Sequence, residues 1–462
     1  MKNRYIILLL VSFFVVGCDK FDDEINTNPN LPSEASGTQL IANAQLWLPG
    51  LSSSPQGQFL AQYLAETQYV GVSLYPQQST SFYGYYQGPL MNLQEVINSE
   101  SLSGVQGPVA NQKAVAKILK AYFFWNITDR WGDVPYSEAL KGSDNFTPAY
   151  DTQESIYNDL FLELKEANDM IVSGSISNDL VYGGNMAKWK KLANTVRMFM
   201  ALRLSEVDPV KGKAEFNAAM EDGVFTSNED NLVFRHLEDA NNQNYWFSQV
   251  VNQNREWWAL TENLVDMMKP VDDPRLSVYG DPARESGEFI GRPYGQEDNL
   301  GTEEHSLLGS DIIAQDAPVY LVTYAQVLFA MAEAVELDWI EGDTEELYKE
   351  AIKQSILQWT GSDAGLEEFL NAPGISFDEA NALEQIAVQR YVHLFMHGYE
   401  AWAEWRRTGF PDNLVSPAGA EVPTRLSYPD NEAFTNATNY KAAIDRQFGG
   451  DDSIYGKVWW DN

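Results

Sequence analysis

The sequence holds one cysteine, Cys18, in 462 residues. A single thiol excludes an intrachain disulfide framework and a thiolate zinc cluster. Basic residues are scarce: 31 Lys and Arg stand against 66 Asp and Glu, a formal charge of −35. That deficit argues against a nucleic-acid partner, whose phosphates need clustered cations, and against soft adhesion to anionic lipid. Histidine occurs four times, at His236, His305, His393 and His397. No stretch reaches the roughly 20 apolar residues of a membrane-spanning helix. Strand-like alternation is rare, with Val233–Leu237 and Phe289–Gly291 as the better short cases. The GxSxG elbow, the P-loop, the dinucleotide fingerprint and the EF-hand loop are missing.

What is there begins with the first residues, MKNRYIILLLVSFFVVGC. Lys2 and Arg4 precede an apolar run of 12, Tyr5 to Val16, which reads as the h-region of a secretory leader. A small residue and then Cys directly after it has the layout of a bacterial lipobox. Residues 1–17 therefore read as a lipoprotein-type signal peptide, and Cys18 as the lipid-bearing first residue of the mature chain. Acyl chains supply about 0.8 kcal/mol of membrane affinity per buried methylene, so a multiply acylated Cys18 anchors without a transmembrane helix. Residues 18–34, acidic and rich in Asn and Pro, read as a tether, and residues 35–462 as one domain. Without Lys2 and Arg4 the mature chain carries 29 basic and 66 acidic residues, or −37.

Apolar residues then recur at i, i+3 and i+4. This spacing predicts helices over 38–48, 54–68, 90–98, 113–125, 155–171, 186–204, 211–220, 319–340, 344–359 and 378–407. Helices joined by short turns predict a mostly α fold. Its form is a tetratricopeptide-like scaffold of helical hairpins with long loops and a few short strands. The stretches 69–89, 126–150, 240–260 and 270–318 are long for loops in a compact domain, which points to function.

His393 and His397, four apart, suit one metal on a helix, but Leu-Phe-Met between them lacks the HExxH glutamate, so packing is the plainer role. Asp451 and Asp452 suit a structural calcium that nothing else in the sequence supports; a solvated turn is simpler, and no cofactor is expected. With 66 carboxylates, paired acids arise by chance and single out no glycosidase. Aromatics are the better lead: 13 Trp, 23 Tyr and 22 Phe. One loop cluster joins Tyr75, Tyr83, Tyr85 and Tyr86 to Gln77, Gln78 and Gln87. A second joins Tyr245, Trp246, Trp257 and Trp258 to Asn242, Asn244, Asn254 and Arg255. Sugar rings have apolar C–H faces that stack on aromatic planes and hydroxyl rims that need amides and Arg. The candidate ligand residues are Tyr75, Tyr83, Tyr86, Asn242, Asn244, Tyr245, Trp246, Arg255, Trp257, Trp258 and Tyr294. Pinning loops to helices, or packing on a partner, is the competing role for each.

Eight short motifs, in order from end to end, resemble the SusD/RagB family. They start with Cys18 and Asp22-Asp23-Glu24, then Asn26-Thr27-Asn28-Pro29-Asn30. Asp129-Arg130-Trp131-Gly132-Asp133 and Lys188-Trp189-Lys190-Lys191-Leu192 follow, then Asp273-Pro274-Arg275-Leu276. Tyr324 to Ala334 is similar to the family's central helix, where Glu is commoner than Gln326. Glu400-Ala401-Trp402-Ala403-Glu404-Trp405-Arg406-Arg407-Thr408-Gly409 is the most specific, and Gly449 to Trp460 closes the series. The resemblance implies a lipid-anchored protein on the outer membrane of a Gram-negative bacterium, facing the cell exterior. It implies an oligosaccharide-binding function of the starch-binding branch, without catalysis. It implies a TonB-dependent, SusC-like transporter as partner. A peptide-binding member of the family and a surface glycoside hydrolase on a helical scaffold are the alternatives. The motifs themselves read as mostly structural: Gly132 and Gly409 suit helix ends, Pro411 stops a helix, and Glu333 or Glu400 suits a buried Arg.

Overall fold

The computed structural model describes residues 35–296 and 301–461. The leader, Cys18 and the tether of residues 18–34 lie outside them. Helices form where a cap meets an apolar period. They are α1 (Gly37–Gln45), α2 (Met91–Asn98), α3 (Val109–Trp131), α4 (Gln153–Met170), α5 (Met186–Arg203), α6 (Pro209–Asp222), α7 (Tyr324–Glu336), α8 (Thr344–Thr360), α9 (Ala382–His393), α10 (Gly398–Thr408) and α11 (Ala437–Phe448), with shorter turns between. Ser36 opens α1 and Thr323 opens α7 through capping boxes with Gln39 and Gln326. Thr152, Asn185, Asp208 and Asp343 cap α4, α5, α6 and α8.

Consecutive helices pack as pairs: α3 on α4, α5 on α6, α7 on α8, α9 on α10. Neighbouring pairs touch through α4 on α5 and α7 on α9. This is the mostly α, hairpin-built scaffold that the periodicity predicts. Among the described residues six short strands accompany it: β1 (Leu64–Glu66), β2 (Val134–Pro135), β3 (Tyr150–Asp151), β4 (Leu232–Phe234), β5 (Trp258–Leu260) and β6 (Val319–Val322). They pair antiparallel as β1–β5, β2–β3 and β4–β6. Among the described residues no helix is long and apolar enough to cross a membrane.

Three predicted helices are shorter or divided. The 54–68 segment is a helix only over Pro55–Leu60, and then becomes β1. The 319–340 segment begins as β6, because Val319–Val322 pairs with β4 before Thr323 can cap α7. The 378–407 segment breaks at Leu394–His397. There Met396 turns left-handed (φ 65°), and its carbonyl accepts from Ser52 Oγ (2.5 Å) and Gln58 Nε2 (3.1 Å) instead of continuing the helix. Residues 289–291 form no strand; a bridge between Thr261 and Arg292 lies beside them. α11 and the helix Glu262–Met268 form where the sequence reading placed none.

The recurrent motifs meet in the interior. Arg203, at the end of α5, ion-pairs with Asp129 of α3 (3.2 Å) and with Glu400 (2.8 Å) and Glu404 of α10. Glu404 also pairs with Arg390 (2.8 Å) and Arg407 (2.7 Å), and Arg407 with Glu333 of α7 (2.5 Å). Arg406 lies against the rings of Trp402 (3.8 Å) and Trp460 (4.5 Å) and donates to the carbonyls of Asp129 and Thr424. The expected pairing with Glu333 is therefore made by Arg407, and that with Glu400 by Arg203.

α10 starts against the helix Pro55–Leu60 at a glycine contact. A Cβ on Gly398 would sit 2.3 Å from the backbone carbonyl of Gly57. Gly398→Ala is therefore expected to destabilise the fold by ~1–3 kcal/mol or more, as overpacking against fixed backbone does. Thermal unfolding checks this; a melting temperature equal to that of the parent would contradict the contact.

Candidate functional site

The β1–β5 ribbon joins two segments that are distant in sequence. Its register sets Leu64 against Leu260, Ala65 against Ala259 and Glu66 against Trp258. The ladder extends one step further: Thr67 N donates to the Trp257 carbonyl (2.8 Å), and Thr67 Oγ to the Glu256 carbonyl (2.6 Å). The turn that follows β1 is held by Glu66. Its Oε2 accepts from Val72 N and Ser73 N (3.0 Å each) and from Ser73 Oγ (3.1 Å). Burial raises the Glu66 pKa, and these donors oppose the rise. Tyr69 rides on that turn in the left-handed region (φ 58°) with 73% of its surface exposed. A bulky residue in that region is an outlier that costs about 1–3 kcal/mol and is tolerated where the surroundings fix it.

From Tyr69 a row of rings runs inward. Tyr69 meets Trp257 edge-on at 5.3 Å between centroids. Trp257 leans on Trp258 (5.8 Å), Trp258 on Trp246 (5.2 Å) and Trp246 on Tyr245 (5.2 Å). Trp246 and Trp258 are buried, while Trp257 and Tyr245 are half-buried. Tyr69 and Trp257 thus form one surface end of a row whose middle, Trp258 and Trp246, is fixed in the core. The Arg255 guanidinium lies 4.6 Å from the Trp257 ring centre and donates to Gln249. Burial raises the Tyr245 hydroxyl pKa, and Arg255 opposes it. Beside them Arg284 grips Glu256 with two bonds (3.0 and 2.7 Å) and also pairs with Glu303 (3.0 Å). Those bonds hold the Glu256 carboxyl below its ordinary range. An ionised Glu256 accepts hydrogen bonds and has no proton to give.

The remaining candidates sit elsewhere. Tyr75 and Tyr294 are buried against each other, and both hydroxyls donate to the Phe59 carbonyl (3.0 and 2.9 Å). Asn244 is buried; it accepts from Trp246 N (2.7 Å) and donates to the Ala317 carbonyl (3.0 Å), so its amide is used in shaping the chain. Asn242 is half-buried beside His236 (3.2 Å). Tyr83 donates to Glu432 (2.5 Å) and Tyr86 to the Pro135 carbonyl (2.6 Å), so this cluster is held between Pro135 and Glu432 and not on the Trp257 row. Of the sequence-derived set, the structure groups Tyr245, Trp246, Arg255, Trp257 and Trp258. It adds Tyr69 and Glu66, which sequence reasoning missed. The one signal for Tyr69 was an aromatic at the edge of a long polar loop.

The histidine pair does not share a face, because the chain leaves the helix between its members. Both ring nitrogens of His393 meet hydroxyls, Thr323 Oγ1 (2.7 Å) and Ser355 Oγ (2.9 Å). Asp452 is paired with Arg425 (2.6 Å) and accepts from Tyr440 (3.1 Å).

Residues 29–429 match the SusD-like family described as starch-binding and associating with the outer membrane. The chain matches no curated protein sequence. Among solved structures, a chitin-binding protein is 29% identical with a TM-score of 0.80, over 92% of this chain and 100% of its own. A SusD homologue from Bacteroides fragilis is 26% identical with a TM-score of 0.79, over 93% and 100%. An outer-membrane protein from Bacteroides vulgatus, described in terms of nutrient binding, shares the fold at a TM-score of 0.83 and 24% identity, over 93% and 100%.

Proposed function

This chain belongs to the SusD/RagB family, and we propose that it binds oligosaccharide at the cell surface and passes it, uncleaved, to a TonB-dependent, SusC-like transporter. The observation that carries this reading is the Tyr69–Trp257 pair, two aromatic rings held at the surface by a buried row behind them. An exposed aromatic fixed this way loses little side-chain freedom on binding, and it offers its face to the C–H side of a sugar. Arg255 stands at the same place with N–H groups for hydroxyls. The chitin-binding relative supports a carbohydrate cargo. The family description, starch-binding and associating with the outer membrane, is one of binding and supports a non-catalytic role. In this reading a lipid on Cys18 holds the domain at the outer leaflet, and residues 19–34 give it reach.

Calorimetric titration of the purified protein with a panel of hexasaccharides tests the reading, with chromatography of the ligand afterwards. Binding with chain length unchanged is expected. Shorter products would refute non-catalysis, and failure of any barrel to co-purify from outer membranes would refute the transporter.

A further inference from the structure

A cavity of about 150 Å³ opens beside the Trp257 row. Glu256 and Trp258, which flank Trp257, line it together with Arg255, so it is continuous with the surface proposed above for the glycan. Its apolar wall is Val250, Trp258, Leu307, Leu308 and Ile313. The wall is fixed: Leu260 N donates to the Ser306 carbonyl (2.8 Å), and bridges tie Leu307 to Ala259 and Leu308 to Gly280. The volume is several times the ~30 Å³ share of one water, so a branch of several heavy atoms fits.

The charges of the lining choose the branch. Arg255 and Arg284 face Glu256 and Asp281, two of each sign. With the two signs balanced the lining offers a charged guest no net attraction to offset its desolvation, so a neutral group is favoured. Most of the polar lining is already engaged: Arg284 by Glu256, and Asp281 by Ser310 N (3.2 Å) and Ser310 Oγ (2.8 Å). Arg255 differs. Its guanidinium has five N–H donors, and besides lying over the Trp257 ring its one side-chain hydrogen-bond acceptor among the described residues is Gln249. The complementary guest has an apolar end for the wall and a carbonyl for Arg255. A hydroxymethyl group lacks both features.

We propose that this cavity receives the acetamido group of an N-acetylated sugar, with the methyl on the Leu307–Leu308–Ile313 wall and the carbonyl accepting from Arg255. The assignment rests on the glycan reading of the Trp257 row and names its substrate class.

Full-length protein in detergent is titrated with chitohexaose, cellohexaose and maltohexaose. The first two share a β-1,4 backbone and differ at one substituent per ring. Chitohexaose is expected to bind at least ten-fold more tightly than cellohexaose. Ile313→Trp fills the cavity from its wall and Val250→Trp from its half-buried rim. Either variant, if its melting temperature stays near that of the parent, should lower chitohexaose affinity to the cellohexaose level and leave cellohexaose unchanged. Equal affinities in the parent protein overturn the proposal, as does a preference that survives in both folded variants. Binding of maltohexaose without chitohexaose overturns the cavity assignment and leaves the glycan surface standing. Binding of none of the three overturns both.

Discussion

Tyr69→Ala combined with Trp257→Ala abolishes measurable oligosaccharide binding while the protein stays folded. Aromatic anchors at recognition sites cost ≥ ~2 kcal/mol each when truncated, so the pair is expected to cost ~4 kcal/mol, or about a thousand-fold in Kd at 1.4 kcal/mol per decade. The fold should tolerate the change because Tyr69 is 73% exposed and Trp257 only half-buried, whereas the rings that fill the interior, Trp246 and Trp258, are kept. Trp257→Phe should retain much of the binding, since a ring face survives. Tyr75→Phe and Tyr294→Phe are the contrast. Each removes a hydroxyl from the shared Phe59 carbonyl, and each should lower stability with little change in affinity. Calorimetry for binding and thermal unfolding for stability separate the two outcomes. Full affinity in the Tyr69, Trp257 double variant would remove the surface from consideration.

The contrast also shows what the sequence could reveal. Helix identity was legible because apolar periods are local, and so are the caps: Ser36, Thr152 and Thr323 stand one residue before their helices and accept from the backbone N–H three residues on. The breaks were not, because they depend on distant partners. Nothing near Met396 announces that Ser52 and Gln58 will take its carbonyl. The aromatic site was half legible for the same reason. Trp257, Trp258 and Arg255 declare themselves as neighbours in a polar loop. Tyr69 joins them only through two three-residue strands, too short to carry a readable alternation. Tyr75 and Tyr69 come from the same kind of loop. One is buried on Phe59 and the other exposed by a turn closed on Glu66. Composition treats them alike; tertiary contact separates them.

Glu404→Gln should be the most damaging single exchange of a charged side chain for its neutral counterpart, at ~3–5 kcal/mol, because it breaks a buried network and takes from Arg390 its one close acid, the others lying at 3.8 and 3.9 Å. Three arginines, Arg203, Arg390 and Arg407, face four acids, Asp129, Glu333, Glu400 and Glu404. Glu404 touches all three arginines. Burial pushes its carboxyl up, but Arg390, Arg407 and Arg203 together override that and hold it well below the ordinary range. Glu400 goes the other way: burial raises it, the charge of Glu404 adds to the rise, and Arg203 only partly opposes them. The signs follow. A depressed carboxyl contributes stability above its unfolded value, ~4.3, and loses it as the pH falls through the folded value. A raised carboxyl favours the folded state on acidification and costs stability once it must ionise. At neutral pH Glu400→Gln therefore removes an ion pair and a desolvation cost together, and its net effect should be clearly smaller than that of Glu404→Gln. The gap in unfolding free energy between parent and Glu404→Gln should also narrow as the pH drops below about 4.3, where the unfolded glutamate takes up its proton. Denaturant unfolding at several pH values measures both quantities. A gap that stays constant with pH would mean that Glu404 acts by shape alone, and equal losses for the two variants would mean that the network does not distinguish its acids. The same network explains why the motif Glu400–Gly409 reads so strongly in the sequence: Glu400, Glu404 and Arg407 lie on one turn-spaced face of α10. That face fastens the ends of four other helices, α3, α5, α7 and α9, and so fixes the scaffold from which the Trp257 row is presented.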